Sequence, residues 1–378
     1  MPFPQAVPGT YTLDIHNCLG TLPIRCGKCK DVCAAKAINY DMKEEIVEEE
    51  VGAVVVATGY DLYDMRRLGE YGGEGYEDVI NGLEFERILS ASGPTGGEVR
   101  RPSDGKVPKT VVFVQCAGSR DPEYHNPYCS KICCMYTAKH AMLYKHRVHD
   151  GNAIVFYIDV RTGGKNFDEF YQRTTDEEGV LYLRGKVSKV FKEGDKLLVW
   201  GVDTLTGQKV EVEADLVVLA MSMNQAEGME ALARRLKISI DINGWLSEAH
   251  PKLRPVEALN QGFYLAGCAQ GPKDIPETVA QASAAAAKVG ALFAKKELMH
   301  APTIVPVIEE LCAGCGICVT QCPYGARTLD PVRRVVVVNE VLCEGCGACA
   351  AACPSGAAQQ LNQSDEQIFS MVQAILRG

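Results

Sequence analysis

The sequence predicts an α/β core with small cysteine-rich domains attached to it. Three observations carry that expectation. Apolar runs of strand length alternate with helix-length segments between residues 106 and 160, the pattern of a parallel sheet wound with helices. A strand-rich stretch follows, broken at Glu193-Gly194-Asp195 and Thr206-Gly207, which are hairpin signals. Seventeen cysteines then form four groups of four, at 18–33, 116–134, 312–322 and 343–353, with Cys268 alone outside them. In a 378-residue chain with Cys-x-x-Cys spacing, such groups point to metal or redox sites, not a disulfide framework.

The elements follow in order. The stretch from Ile46, IVEEEVGAVVVATGYD, reads as one strand ending in Ala57-Thr58-Gly59, and KEEIVEEE (43–50) as its solvated entry, with docking of a basic electron carrier the alternative. KTVVFV is a strand, SKICCMYTAKHAMLYKH a helix and AIVFYID a second strand. GFYLAG, beginning at Gly262, is a strand, and ETVAQASAAAAKVGALFAKKEL is a long alanine-rich helix. MHAPTIVP (299–306) reads as a linker, and the terminal SDEQIFSMVQAILRG has helical spacing, to pack on the core or on a partner.

Composition excludes several classes. A net charge of −9 argues against a nucleic-acid partner. No apolar run approaches the roughly 18 residues of a membrane span, and the N-terminus lacks a basic region followed by an apolar one. The expectation is a cytoplasmic protein with no membrane span.

The C-terminal cysteines repeat: CAGCGICVTQCPYGA from Cys312 and CEGCGACAAACPSGA from Cys343. Each is C-x2-C-x2-C-x3-C-P, the spacing of two-cluster bacterial ferredoxins, in which the fourth cysteine of each run ligates the other cluster. One cluster would take Cys312, Cys315, Cys318 and Cys353, and the other Cys343, Cys346, Cys349 and Cys322. Paired zinc knuckles are the alternative, but the repeat has no histidine. Near the N-terminus Cys26, Cys29 and Cys33 keep the same spacing, with Cys18 displaced upstream and alanine after Cys33; a third cubane, or a zinc site, is expected there. The fourth group, Cys116, Cys129, Cys133 and Cys134, occupies the strand-to-helix turn where a dinucleotide-binding unit would carry glycines. The positive end of the helix would favour an anionic thiolate cluster as it would a phosphate. The two adjacent cysteines diverge by about 100° on a helix, so both reach one cluster only where the helix begins irregularly. A structural zinc beside free cysteines, or a nicotinamide site, are the alternatives. His125, inside this loop, would be at most a neighbour of the ligands.

Several segments resemble known proteins. VVVATGYD resembles the ATG motif of thioredoxin-reductase-like flavoproteins, and GFYLAGCAQGPKDIPETVAQASAAA resembles their late flavin-binding motif. PFPQAVP, QCAGSR, YCSKICC and GPKDIPETVAQASAAA together resemble the A subunit of heterodisulfide reductase, the flavin-based electron-bifurcating component, over essentially the whole chain. The C-x12-C-x3-C-C pattern resembles that family's unusual cluster. No G-x-G-x-x-G occurs in the 378 residues, so the resemblance is to the C-terminal part of that subunit.

The resemblance implies a thioredoxin-reductase-like core of two dinucleotide-binding domains, lacking the N-terminal flavin half, with ferredoxin-like cluster domains. The implied domains are an N-terminal cluster segment (1–45), a partial FAD-binding domain (46–105 and 216–300), a second Rossmann-like domain carrying the unusual cluster (106–215), and a two-cluster ferredoxin domain with a tail helix (301–378). It implies four [4Fe-4S] clusters and an FAD completed by another chain. Thr58, Gly59, Gly267, Cys268, Lys273, Pro276, Glu277, Thr278 and Val279 would approach the flavin, with Lys273 the candidate for tuning it; a solvated Lys273, a buried apolar Cys268 and simple capping at 276–279 are the plainer readings. The implied partners are heterodisulfide reductase B- and C-type subunits, a hydrogenase or formate dehydrogenase input module and ferredoxin, in a dimer of heteromeric units of the kind used in anaerobic methanogenesis. A flavin-free electron wire and an NAD(P)H-dependent iron–sulfur flavoenzyme are the competing functions.

Overall fold

The computed structural model describes residues 13 and 18, 26–42, 46–297, 303–340 and 342–377. The PFPQAVP segment, the charged residues 43–45 and the first half of the expected linker (299–302) lie outside them.

The core is a five-stranded parallel sheet ordered Val79–Asn81, Leu216–Met221, Thr110–Ala117, Asn152–Tyr157 and Leu181–Arg184. It reaches beyond residues 106–215 on both sides. Its two central strands are continuous apolar runs because both faces are covered: Val111 to Ala117 and Leu216 to Met221 are all buried. Alternate side chains serve different layers. Val111 and Phe113 pack with Phe85, Ile88 and Leu89 of the helix Gly82–Leu89 and with Tyr144 of the helix Cys133–Arg147. Val112 and Val114 face Val187, Val190, Leu197 and Val199. These last come from an antiparallel sheet, Val187–Glu193, Lys196–Asp203 and Gln208–Ala214, whose turns fall at the two expected hairpin signals. Gly194 and Gly207 take the left-handed backbone there, at φ 59° and 73°, a conformation a β-carbon disfavours.

A second unit is built on a two-stranded parallel pair, Val54–Val56 with Phe263–Leu265. Val56 and Leu265 bury against Met229, Ala233, Leu246 and Ala258. The strand expected from Ile46 onward is shorter than its sequence pattern. Ile46 to Ala53 lies outside any strand, and Ile46, Val47 and Val51 are exposed. The partner segment Phe263–Leu265 has three residues to pair with, so only three pair. The helix Ile275–Phe293 covers this unit, anchored by Ala285 against Val256 and Tyr264.

Residues 303–361 form a small domain with a hairpin, Arg327–Leu329 with Val336–Val338, and two one-turn helices, Ile317–Thr320 and Ala348–Ala351. The terminal helix, Asp365–Arg377, buries none of its residues. Among the described residues no helix is long and apolar enough to cross a membrane.

Candidate redox site

The strand Thr110–Ala117 delivers Cys116 at its carboxyl end in left-handed backbone, φ 59°. The chain returns through Cys129 to Cys133 and Cys134, the first two residues of the helix Cys133–Arg147. Just before them Lys131 is also left-handed, at φ 63°, and the Ile132 amide donates to the Ser130 carbonyl at 2.6 Å. That irregular start brings the adjacent thiols into interaction: Cys134 and burial hold Cys133 well above the ordinary thiol value, while Cys133 draws Cys134 below it. Burial pushes Cys116 up to about 11, and Cys134 and Cys129 add to it. All four thiols therefore lie within electrostatic reach of one another. No disulfide joins any of the chain's cysteines.

Donors surround these sulfurs. The Lys131 amide donates to Cys129 Sγ at 3.3 Å, and the positive charges of Arg120 and Arg161 favour the thiolates of Cys116 and Cys134. N–H groups aimed at sulfur at a helix N-terminus fit an anionic thiolate cluster. Among the described residues no three His, Cys, Asp or Glu side chains are arranged to hold a single metal ion. His125 is occupied elsewhere, with Nδ1 2.9 Å from the Tyr63 hydroxyl and Nε2 3.5 Å from Glu70.

In the C-terminal domain a cavity is lined by Cys322, Cys343, Cys346 and Cys349, three thiols of the second run and the last of the first. Cys312, Cys318 and Cys353 join the same small core, while Cys315 is exposed. Burial opposes ionisation of Cys353, yet the amides of Ala358, Ser355 and Ala357 and the Ser355 side chain outweigh it and lower its pKa. A β-carbon on Gly345 would stand 2.3 Å from the Thr303 carbonyl, and one on Gly314 would stand 2.2 Å from that of Arg334. Both runs thus need glycine for the chain to pass this closely. At the N-terminus Cys26 precedes the turn Lys28–Val32, Cys29 lies within it and Cys33 caps it. Cys29 Sγ is 2.7 Å from the Tyr40 hydroxyl, and this bond, with lesser contributions from Cys18 and Cys26, raises Tyr40 to about 12.

The residues expected near a flavin also converge. Parallel pairing of Val54–Val56 with Phe263–Leu265 brings Thr58 and Gly59 beside Gly267 and Cys268 at the strands' carboxyl ends, where ligands bind in open α/β sheets. Gly59 is left-handed at φ 75° with open space where a β-carbon would stand. Gly267, at φ 68°, leaves only 3.1 Å from such a carbon to Thr278, so it abuts the first turn of Ile275–Phe293. Thr58 Oγ1 approaches Met229 Sδ at 3.6 Å. Cys268 Sγ donates to the Lys273 carbonyl at 3.6 Å. Burial lowers Lys273, while Cys268, Glu277 and Glu248 pull the other way. The first turn is also capped. Asp274 accepts from the Glu277 amide at 2.8 Å and Glu277 reaches back to the Asp274 amide, while Pro276 has no amide to offer. Pro276 and Val279 are exposed.

Two connections go beyond what the sequence pattern predicts. Lys131, between Cys129 and Cys133, forms an ion pair with Glu277, and so ties the cysteine loop to the helix beside Gly267. Arg120 pairs with Asp159 at 2.7 Å. The signal available was the cations themselves, Arg120 in QCAGSR and Lys131 in YCSKICC.

The 4Fe-4S dicluster domain family matches residues 311–357, the segment holding both C-terminal runs. The A subunit of the H(2):CoB-CoM heterodisulfide,ferredoxin reductase of Methanothermobacter marburgensis is 45% identical over 331 residues, 87% of this chain and 50% of that protein. The iron-sulfur A subunit of the CoB-CoM heterodisulfide reductase of Methanocaldococcus jannaschii is 43% identical over 380 residues, 100% of this chain and 57% of that protein. The chain is a homologue of the heterodisulfide reductase A subunit. It spans about half the length of these curated relatives. Heterodisulfide reductase A-subunit sequences thus align along both the α/β core and the dicluster domain of this chain. Among solved structures, the thioredoxin reductase of T. acidophilum is similar with a TM-score of 0.41 and 14% identity, covering 64% of each chain.

Proposed function

We propose that the chain is the iron–sulfur and flavin-bearing part of a heterodisulfide reductase-type complex, an oxidoreductase component that passes electrons from a donor module to disulfide-reducing subunits and to ferredoxin. The observation that carries this reading is the convergence of two sites. The thiols of the Cys116–Cys134 loop and the glycines of the candidate flavin site stand on either side of one ion pair, Lys131 with Glu277. Electrons would enter at the Cys116–Cys134 group, pass the site formed by Thr58, Gly59, Gly267, Cys268 and Lys273, and leave through the C-terminal clusters. A bound flavin would supply exchange between two-electron and one-electron chemistry. This chain's residues would hold it in place: Gly59 and Gly267 by leaving room for it, Lys273 by placing positive charge beside it. Ligation of four cubanes by the sixteen grouped cysteines, completion of the flavin site by residues outside this sequence, division of electron pairs between two acceptors, and assembly with B- and C-type subunits and a hydrogenase or formate dehydrogenase module belong to the same proposal.

The test is iron and flavin content of the chain purified without oxygen, alone and with its partners. About 16 irons, at four per cubane, and flavin present in the complex support it. Full iron with no flavin even in the intact complex would leave an electron wire in its place. Disulfide reduction without obligate ferredoxin reduction would remove the bifurcating step alone.

A further inference from the structure

We infer that Arg120 is a positioning residue that sets the reduction potential of the cluster held at Cys116–Cys134, opposed by Asp159; this rests on the cluster proposed above. Arg120 is left-handed, at φ 57°, a backbone state disfavoured for a side-chain-bearing residue, and its amide is fixed to the Tyr128 carbonyl at 3.0 Å. That geometry turns the guanidinium to Asp159, at 2.7 Å, four positions along the loop from Cys116, whose thiolate its charge favours. The backbone carbonyl of Asp159 lies 3.7 Å from Cys134 Sγ, which places this residue beside the group. Arg161 stands beside it, with Nε 3.5 Å from the same carboxylate oxygen. One arginine–aspartate pair thus spans two of the four thiols.

The charge arithmetic gives the role. A cluster on four thiolates is anionic and gains a further negative charge on reduction. Hydrogen bonds to the sulfurs and nearby positive charge favour the reduced form, and these set the potential. Cys116, Cys133 and Cys134 are buried and the Arg120 side chain is 23% exposed, so its charge is screened less than in water; Asp159, 46% exposed, is screened more. A guanidinium stays protonated throughout the working range, so its effect holds across pH. Asp159 cancels part of that charge. Removing the arginine and removing the aspartate must therefore move the potential in opposite directions.

The experiment is a redox titration of the full chain, prepared without oxygen and followed by electron paramagnetic resonance, for the unsubstituted protein, Arg120→Gln, Arg120→Lys and Asp159→Asn. Arg120→Gln is expected to lower the reduced-to-oxidised ratio at a fixed potential about tenfold, which for one electron is about 59 mV. Asp159→Asn is expected to raise that ratio, and Arg120→Lys to stay near the parent. Unchanged potentials, or shifts of the same sign in Arg120→Gln and Asp159→Asn, overturn the assignment. Loss of the cluster's iron in both Arg120 variants makes the arginine merely structural and overturns it as well. Cys116→Ser separates the two layers of the argument. If it leaves both iron content and spectrum unchanged, the cluster itself is wrongly placed; if it removes the signal while the Arg120 variants shift nothing, only the role of Arg120 falls.

Discussion

Lys131 and Glu277 lie 146 positions apart in the chain and meet as an ion pair. Each is already committed at its backbone. The Lys131 amide donates to Cys129 Sγ, and Glu277 closes the capping box of Ile275–Phe293 with Asp274. The pair therefore joins the cysteine loop to the helix that abuts Gly267. Its energetic weight is small, because both side chains are more than a third exposed. A double-mutant cycle of Lys131→Ala and Glu277→Ala, read by chemical denaturation, is expected to give a coupling of about 0.2–1 kcal/mol that shrinks in high salt. A salt-independent coupling would mean that packing, not charge, holds the two elements together.

The cavity lined by Cys322, Cys343, Cys346 and Cys349 draws three thiols from one run and one from the other. Cys322→Ser is accordingly expected to remove about four irons and to weaken the same spectroscopic signal as Cys346→Ser. Cys353→Ser should instead act on the signal lost in Cys315→Ser. Iron analysis with electron paramagnetic resonance on the four variants checks the grouping. If Cys322→Ser behaves like Cys315→Ser, each run ligates its own cluster.

Much of this arrangement is legible in the sequence because it is local. The strand–loop–helix from Lys109 to His146 and both hairpins declare themselves by periodicity and by Gly194 and Gly207. The two C-terminal four-cysteine runs are visible as a repeat, each within 15 residues. The apolar alternation after Ile46 misleads, since alternation reports what a segment would bury and not whether a strand lies beside it. The helix Gly82–Leu89 is not among the expected elements, although its capping box is written in Asn81 and Glu84 and three of its apolar side chains, Phe85, Ile88 and Leu89, are buried. Long-range polar contacts are the part no local pattern gives. Arg120 with Asp159 spans 39 positions, and neither residue type at either place demands the other.

Asp215 offers a test of the core that is independent of any cofactor. One carboxylate oxygen accepts from the amides of Lys109 and Thr110 at 2.8 and 2.9 Å, and the other from Lys196 Nζ at 2.6 Å. Burial opposes ionisation, but Lys196 and the two amides outweigh it, and the pKa lies below its ordinary 3.8. A depressed carboxylate stabilises the fold above its unfolded pKa, and that stabilisation is lost as pH falls through the folded value. Asp215→Asn is expected to cost roughly 1.5–3 kcal/mol near neutrality, the range for a bond to a charged partner. The gap to the parent should narrow as pH drops below about 5. Chemical denaturation of both proteins, treated identically over that range, checks the sign. A gap that widens on acidification would show that Asp215 is not held ionised.

The terminal helix makes the opposite prediction. Asp365 to Arg377 buries no side chain, and Ile368, Phe369, Met371, Val372, Ile375 and Leu376 are all exposed. Helical stability in proteins comes mainly from packing an apolar face, and among the described residues that face is left exposed. Deleting 365–377 should therefore change the unfolding free energy of the isolated chain by less than about 0.5 kcal/mol, the range for surface changes away from packed features. It should also raise solubility, since six exposed apolar side chains leave with it. A loss of several kcal/mol on deletion would mean that the helix docks on the body of the protein in solution, and its apolar stripe would then belong to the core.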